Sequence, residues 1–236
     1  DALAAALASK AIKLVRADFM KQSASPHLLR RQDLEALERE QRITVFLTPD
    51  EAVDALRSNR RAIAALTYGW VTPDHPDVVD AYLASIRRFL AHPLGEHIVG
   101  LFWDFASLPQ KPRSEEEAAG FKVALGCMGD VYASAFGTTV VRHRTVPQRP
   151  DSLDGELVVL VEGDGDVVTA EQEAALTAEL AKHGAVENVR REPGRLRVRL
   201  ASHAAAEAAV AAGVAGATAV FPFFNDREYK NRGWTC

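Results

Sequence analysis

Two short segments carry the residue types that a ligand site needs. Ala65-Leu66-Thr67-Tyr68-Gly69-Trp70 closes one apolar run, and Trp103-Asp104-Phe105-Ala106-Ser107-Leu108-Pro109-Gln110 leaves another. In open parallel sheets, ligands bind beyond the carboxyl ends of the strands, where the connections diverge. If both runs are strands, Asp104 projects at such an end, with Ser107 and Gln110 in the loop behind it and the rings of Tyr68 and Trp70 beside it. A carboxylate there can accept from ribose hydroxyls or orient a loop. The same residues also fit a plainer role, in which Asp104 caps its own loop and Gln110 satisfies backbone groups.

A third segment concentrates positive charge. Arg195, Arg197 and Arg199 alternate with Leu196, Val198 and Leu200, so a strand here shows three arginines on one face and three aliphatics on the other. Arginines can grip phosphates or stack on bases. RNA-binding sheets of this kind also need aromatic rings on their central strands, and Leu157-Val158-Val159-Leu160-Val161 supplies none. Residues 151–224 hold twelve acids against six bases. Both features argue against RNA and for a solvated or protein-facing arginine face.

Other chemistries are poorly served. Seven histidines show no metal spacing, and two cysteines, Cys127 and Cys236, support neither a disulfide framework nor a structural zinc site. That low count fits a reducing compartment. Cys127 reads as a small core residue. Gly163-Asp164-Gly165-Asp166 is too short for an EF-hand loop and reads as a turn. Neither a phosphate-binding glycine loop nor a nucleophile motif is present. No catalytic set and no metal ligands are therefore assigned.

The elements that must position these residues follow from periodicity. The chain has 236 residues, 47% of them hydrophobic, and a net charge of -4, which excludes a basic nucleic-acid coat protein. Leu3, Leu7, Leu14, Val15 and Phe19 predict one N-terminal helix, and a charged second helix spans about 28–42. Thr48-Pro49-Asp50-Glu51 opens a short helix. Strands are expected over 61–68, 98–105 and 138–142, with helices over 76–91 and 115–135 between them. That order implies a parallel sheet covered on both sides.

A polar, proline-bearing connector at 147–155 marks a boundary. Beyond it come a strand (156–162), a helix (169–183), two strands (186–191, 195–200), a helix (202–212) and a strand (217–223), the ferredoxin-like βαββαβ order. The organisation expected is an N-terminal helical region (1–58), an α/β domain (59–148), an inserted ferredoxin-like domain (151–224) and a return segment (225–236). No segment qualifies as a membrane span, since 204–221 is mostly Ala and Gly and contains Glu207. The chain opens on Asp1, so a targeting segment is not visible. The expected location is intracellular, in the cytoplasm or an organelle.

Taken in order, these motifs resemble the fungal heterokaryon-incompatibility (HET) domain. Ala65-Leu66-Thr67-Tyr68-x-Trp70 is similar to its Ala-Leu-Ser-Tyr-x-Trp. Trp103-Asp104-x4-Leu108-Pro109-Gln110 is similar to its Trp-Ile-Asp-x3-Ile-Asn-Gln. Met128-x-x-Val131-Tyr132-x-x-Ala135 resembles its Met-x-x-Ile-Tyr-x-x-Ala, and Arg232-Gly233-Trp234-Thr235 its Arg-x-Trp-Thr. Similar patterns occur in proteins of algae and other protists. HET domains are related to TIR domains, so the resemblance implies a flavodoxin-like fold used in immunity and cell death. It also implies a ligand site at Tyr68, Trp70, Asp104, Ser107, Gln110, Arg232 and Trp234, with NAD as a possible cofactor. Some TIR members cleave NAD with a glutamate just after a comparable tryptophan; here the glutamate expected after Trp234 falls beyond Cys236. The small domain resembles an RNA-recognition motif in element order. Three functions are therefore expected to compete: a non-catalytic protein-interaction or signalling scaffold, an NAD-cleaving hydrolase whose glutamate follows Cys236, and a structural subunit that docks in a larger assembly. The first leads, with other proteins as partners.

Overall fold

The computed structural model of the chain describes residues 1–161 and 167–228. They fall into two compact units, one of residues 1–69 and 75–145 with Glu228, the other of Trp70–Asp74 and Val146–Arg227. Among the described residues, no helix is long and apolar enough to cross a membrane.

The first unit contains, in chain order, α1 (Ala2–Ala8), β1 (Val15–Arg16), α2 (Ala17–Gln22), α3 (Arg31–Gln41), α4 (Pro49–Arg57), β2 (Ile63–Thr67), α5 (Ala81–Ala91), β3 (Gly100–Phe102), α6 (Asp104–Ser107), α7 (Glu115–Ala133) and β4 (Thr138–Arg142). Its sheet runs β1-β3-β2-β4. β2 is parallel to β3 and to β4, while β1 is antiparallel to β3. Ile63 to Leu66 are at most 2% exposed, because a central parallel strand is covered on both faces. Helix starts are chemically marked. Thr48 with Glu51, and Ser114 with Glu117, form reciprocal capping boxes at α4 and α7, satisfying amides that the first helical turn leaves unpaired.

The N-terminal segment departs from the single helix expected. α1 stops at Ala8, Lys10 takes a left-handed backbone (φ 63°), and the chain then extends so that Val15 pairs with Leu101. Ile12, Leu14 and Val15 are all at most 2% exposed. Three burials so closely spaced exceed what one helical stripe can cover, and strand pairing with β3 satisfies the backbone instead. Gly100 allows this approach, since a Cβ there would stand 2.7 Å from Leu47 Cδ1 and 3.3 Å from Leu14 Cβ. Leu3, Leu7, Ile12, Leu56, Ile63, Phe102, Cys127 and Val131 share one core, so residues 1–58 contribute to the same unit as the sheet.

One buried cation ties this unit together. Arg31 is 8% exposed. Its guanidinium donates to the carbonyls of Lys10 (2.8 Å), Ala11 (2.9 Å) and Ser107 (3.2 Å) and to Glu35 (2.9 Å). The loop after α1, the helix α3 and the end of α6 thus meet on one side chain.

The second unit contains β5 (Glu156–Val161), α8 (Ala170–Leu180), β6 (Val186–Glu192), β7 (Arg195–Leu200), α9 (His203–Ala212) and β8 (Ala217–Pro222). All pairings in its sheet, ordered β6-β7-β5-β8, are antiparallel. Leu157, Val159, Leu196, Val198 and Leu200 form its core with Leu176, Leu180, Ala206 and Ala209 of the helices, as alternation along β5 and β7 requires. Gly155 has φ +70°, and a Cβ there would collide with the Leu200 carbonyl. The sequence Gly163–Asp166 lies outside the described residues.

Arg31→Met is expected to destabilise the chain by about 3 kcal/mol or more, because the buried Ala11 carbonyl loses its donor while Lys10, Ser107 and Glu35 each lose a charged partner. Urea unfolding measures this; a loss below about 0.5 kcal/mol, the range of ordinary surface changes, contradicts it.

Candidate functional site

The carboxyl ends of β2 and β3 bring Tyr68 and Asp104 together. The Tyr68 hydroxyl donates to Asp104 Oδ1, and the same oxygen accepts the Phe105 amide at 2.7 Å. The first contact follows from register: Ala65 pairs with Phe102, so the two chains leave the sheet side by side. The second fastens the first turn of α6 to its own leading residue.

Ser107 and Gln110 complete the corner from behind. Ser107 is fully buried. Its Oγ accepts the Trp103 amide at 3.0 Å and donates to the Leu101 carbonyl at 3.4 Å. Gln110 Nε2 donates to the carbonyls of Asp104 (3.2 Å) and Leu108 (2.9 Å). The Gln110 backbone is held in turn by Gln32, whose amide donates to its carbonyl at 2.7 Å and accepts its N–H at 3.1 Å. Ser107 and Gln110, like Asp104, thus each bond backbone of the loop in which they stand.

An aromatic cluster floors the same edge. Tyr68 packs edge-on against Trp103 (ring centroids 5.8 Å apart) and Tyr82 (5.3 Å), and Tyr82 lies 5.1 Å from His143. Tyr82 donates to the Gly69 carbonyl at 3.2 Å, and the His143 amide to Thr67 O at 2.9 Å. Burial, then the charge of Asp104, pushes the Tyr68 phenol well above its ordinary range. Burial pushes His143 down. At neutral pH the edge thus presents a protonated phenol at Tyr68 and a neutral imidazole at His143.

Tyr82 and His143 were not singled out in the sequence. Tyr82 reads there as one apolar position of a helix, and His143 as the residue after a strand. The available signal was topological: a residue just past β4, parallel to β2, must emerge at the same end as Tyr68.

Trp70, expected at this edge, groups with the second unit. There it lines a cleft of about 290 Å³ with Pro73, Phe221 and Phe223 among its walls. Arg232 and Trp234 lie outside the described residues.

The arginine face of the second unit is neutralised from within. Arg195 pairs with Asp74 and Glu192, each at 2.6 Å. Arg197 and Arg199 both pair with Glu156, at 2.5 and 2.7 Å. The Arg197 guanidinium also lies 3.6 Å from the centre of the Phe223 ring. Register causes this, since Glu156 stands opposite Arg199 and Val158 opposite Arg197 on adjacent strands. A phosphate would have to displace these carboxylates.

Among the described residues, no group of three or more His, Cys, Asp or Glu side chains could hold a metal ion. No family model, no curated protein and no solved structure matches the chain.

Tyr68→Phe is expected to cost about 1–2 kcal/mol through loss of the hydroxyl from Asp104. Because the folded phenol titrates above the unfolded one, the stability it lends is present below about pH 10 and is lost as pH rises past that value. The variant should therefore show a flatter alkaline limb in chemical denaturation; an unchanged limb contradicts the assignment. Arg195, Arg197 and Arg199 replaced together by Ala should leave RNA binding undetectable, as in the parent chain. Micromolar, salt-dependent affinity in the parent that disappears in the triple variant contradicts the neutralised face.

Proposed function

We propose that the chain is a non-catalytic protein-interaction or signalling scaffold, built on a TIR/HET-like, flavodoxin-like α/β unit that carries an inserted ferredoxin-like unit. The parallel trio β3-β2-β4 with helical crossovers supports the first fold reading. The βαββαβ order, with β5 and β7 central, supports the second.

One contrast carries the functional reading. Asp104, Ser107 and Gln110 each hold backbone of their own loop. Meanwhile the first unit shows apolar side chains to solvent on α7 and beside β4: Val123 at 54%, Leu125 at 44%, Phe136 at 70% and Val140 at 46% exposure. A helix with apolar residues on its outward face as well as its core face calls for a second surface to cover it. Fastened polar groups and exposed apolar ones are the pattern of a docking module.

The test is turnover. The 236-residue chain should release no nicotinamide from NAD above the buffer background. Asp104→Asn should lower the melting temperature without altering that result, because its carboxylate serves the fold. Turnover by the parent chain that the substitution abolishes overturns the non-catalytic reading, a dedicated charge-stabilising group being worth about 10²–10³-fold in rate.

A further inference from the structure

β4 ends the first sheet among the described residues, and its pairing with β2 turns the backbone groups of Val140 outward. Ile63 N donates to Gly137 O at 3.2 Å, and His143 N donates to Thr67 O at 2.9 Å. Strand periodicity then turns the odd-numbered groups, 137 to 143, toward β2 and the even-numbered ones away from it. Thr138 is already engaged, its N–H and its hydroxyl both donating to the Ser134 carbonyl. Val140 stands at the middle of the strand, with its side chain 46% exposed.

The usual protections of such an edge are sparse. Thr138-Thr139-Val140-Val141-Arg142 has no proline, the β2–β4 pairing has no bulge, and the strand's single charge sits at one end. A β-branched edge of this kind is a template for another strand.

We infer that β4 pairs antiparallel with the β4 of a second copy, joining two four-stranded sheets into one across a twofold axis at Val140. This rests on the interaction reading above and names the partner. The edge is self-complementary in that register. Val140 meets Val140 of the second copy as a hydrogen-bonded pair, each N–H donating to the other's carbonyl. Their side chains meet on the sheet face that also carries Ile63 and Ala65. Thr138 falls opposite Arg142, and the two copies of Arg142 stand four residues apart, about 13 Å along the seam, beyond the screening length of physiological salt. Isologous pairing needs a patch that fits itself, and this edge does.

Sedimentation of the 236-residue chain tests the inference alongside three variants. Val140→Pro removes the outward N–H and no N–H directed at β2, and proline is tolerated on edge strands. Val140→Lys places a charge at the seam and keeps the backbone intact. Val123→Lys with Leu125→Lys alters α7 alone. The parent should show a concentration-dependent monomer–dimer equilibrium, weakened about tenfold or more by either Val140 variant, with circular dichroism unchanged. Val140→Cys, in a chain with Cys127 and Cys236 replaced by Ser, should be cross-linked to dimer by a short thiol-reactive linker. A parent that stays monomeric at every concentration overturns the inference. So does a dimer undiminished in both Val140 variants. A dimer lost only in the α7 variant overturns edge pairing while upholding the interaction reading. NAD turnover with an intact Val140-dependent dimer overturns the non-catalytic reading alone.

Discussion

The guanidinium of Arg31 is the constraint on which the first unit depends. A charge this deeply buried is tolerated only when its donors are satisfied. Its partners are the Lys10, Ala11 and Ser107 carbonyls and the Glu35 carboxylate, which Lys13 also approaches at 2.8 Å. Burial works against ionised Glu35, but the two cations outweigh it and hold its carboxyl below the usual range. Three of those acceptors are backbone carbonyls outside any regular ladder. One side chain therefore substitutes for the hydrogen bonding that a helix or sheet would otherwise have supplied. The departure of the N-terminal segment from helix and the closure of the loop after β3 are two sides of this arrangement.

The carboxyl edge of the sheet inherits its rigidity from that anchor. Arg31 takes the Ser107 carbonyl, Ser107 holds the end of β3, Gln32 holds Gln110, and Gln110 returns to Asp104. Asp104 is thereby kept under the Tyr68 hydroxyl. Asp104, Ser107 and Gln110 each bond backbone within six residues of themselves, while Trp103 Nε1 and His143 Nε2 at the same edge are buried without a hydrogen-bond partner among the described residues. Local side-chain-to-backbone bonds compete with intermolecular ones for the same donors and acceptors. At Asp104, Ser107 and Gln110 the local bonds are formed.

The second unit solves a different problem. Three arginines on one strand face would repel one another, and alternation forces them onto the same side. Glu156 on the neighbouring strand, Glu192 across the hairpin and Asp74 supply the counter-charges, while Phe223 accepts the flat face of Arg197. The positive stripe is therefore a network of partly exposed ion pairs. Such pairs add only modestly to stability.

Much of this was already legible in the residues. The capping motif at Thr48, the continuous apolar runs of β2 and β3, and the period-2 alternation of β7 determine their elements locally, because caps and periodicity act within a few residues. They also place Tyr68 and Asp104 at one end of one sheet. What the residues alone left open depended on partners distant in sequence. Arg31 looks like one more charge on a solvated helix until Lys10, Ala11 and Ser107 turn their carbonyls toward it. Leu14 and Val15 fit a helical stripe until β3 offers a ladder. The arginine stripe looks cationic until Glu156 and Asp74 stand beside it. Whether a polar group is free to act depends on what lies within about 3 Å of it, and only the tertiary structure decides that.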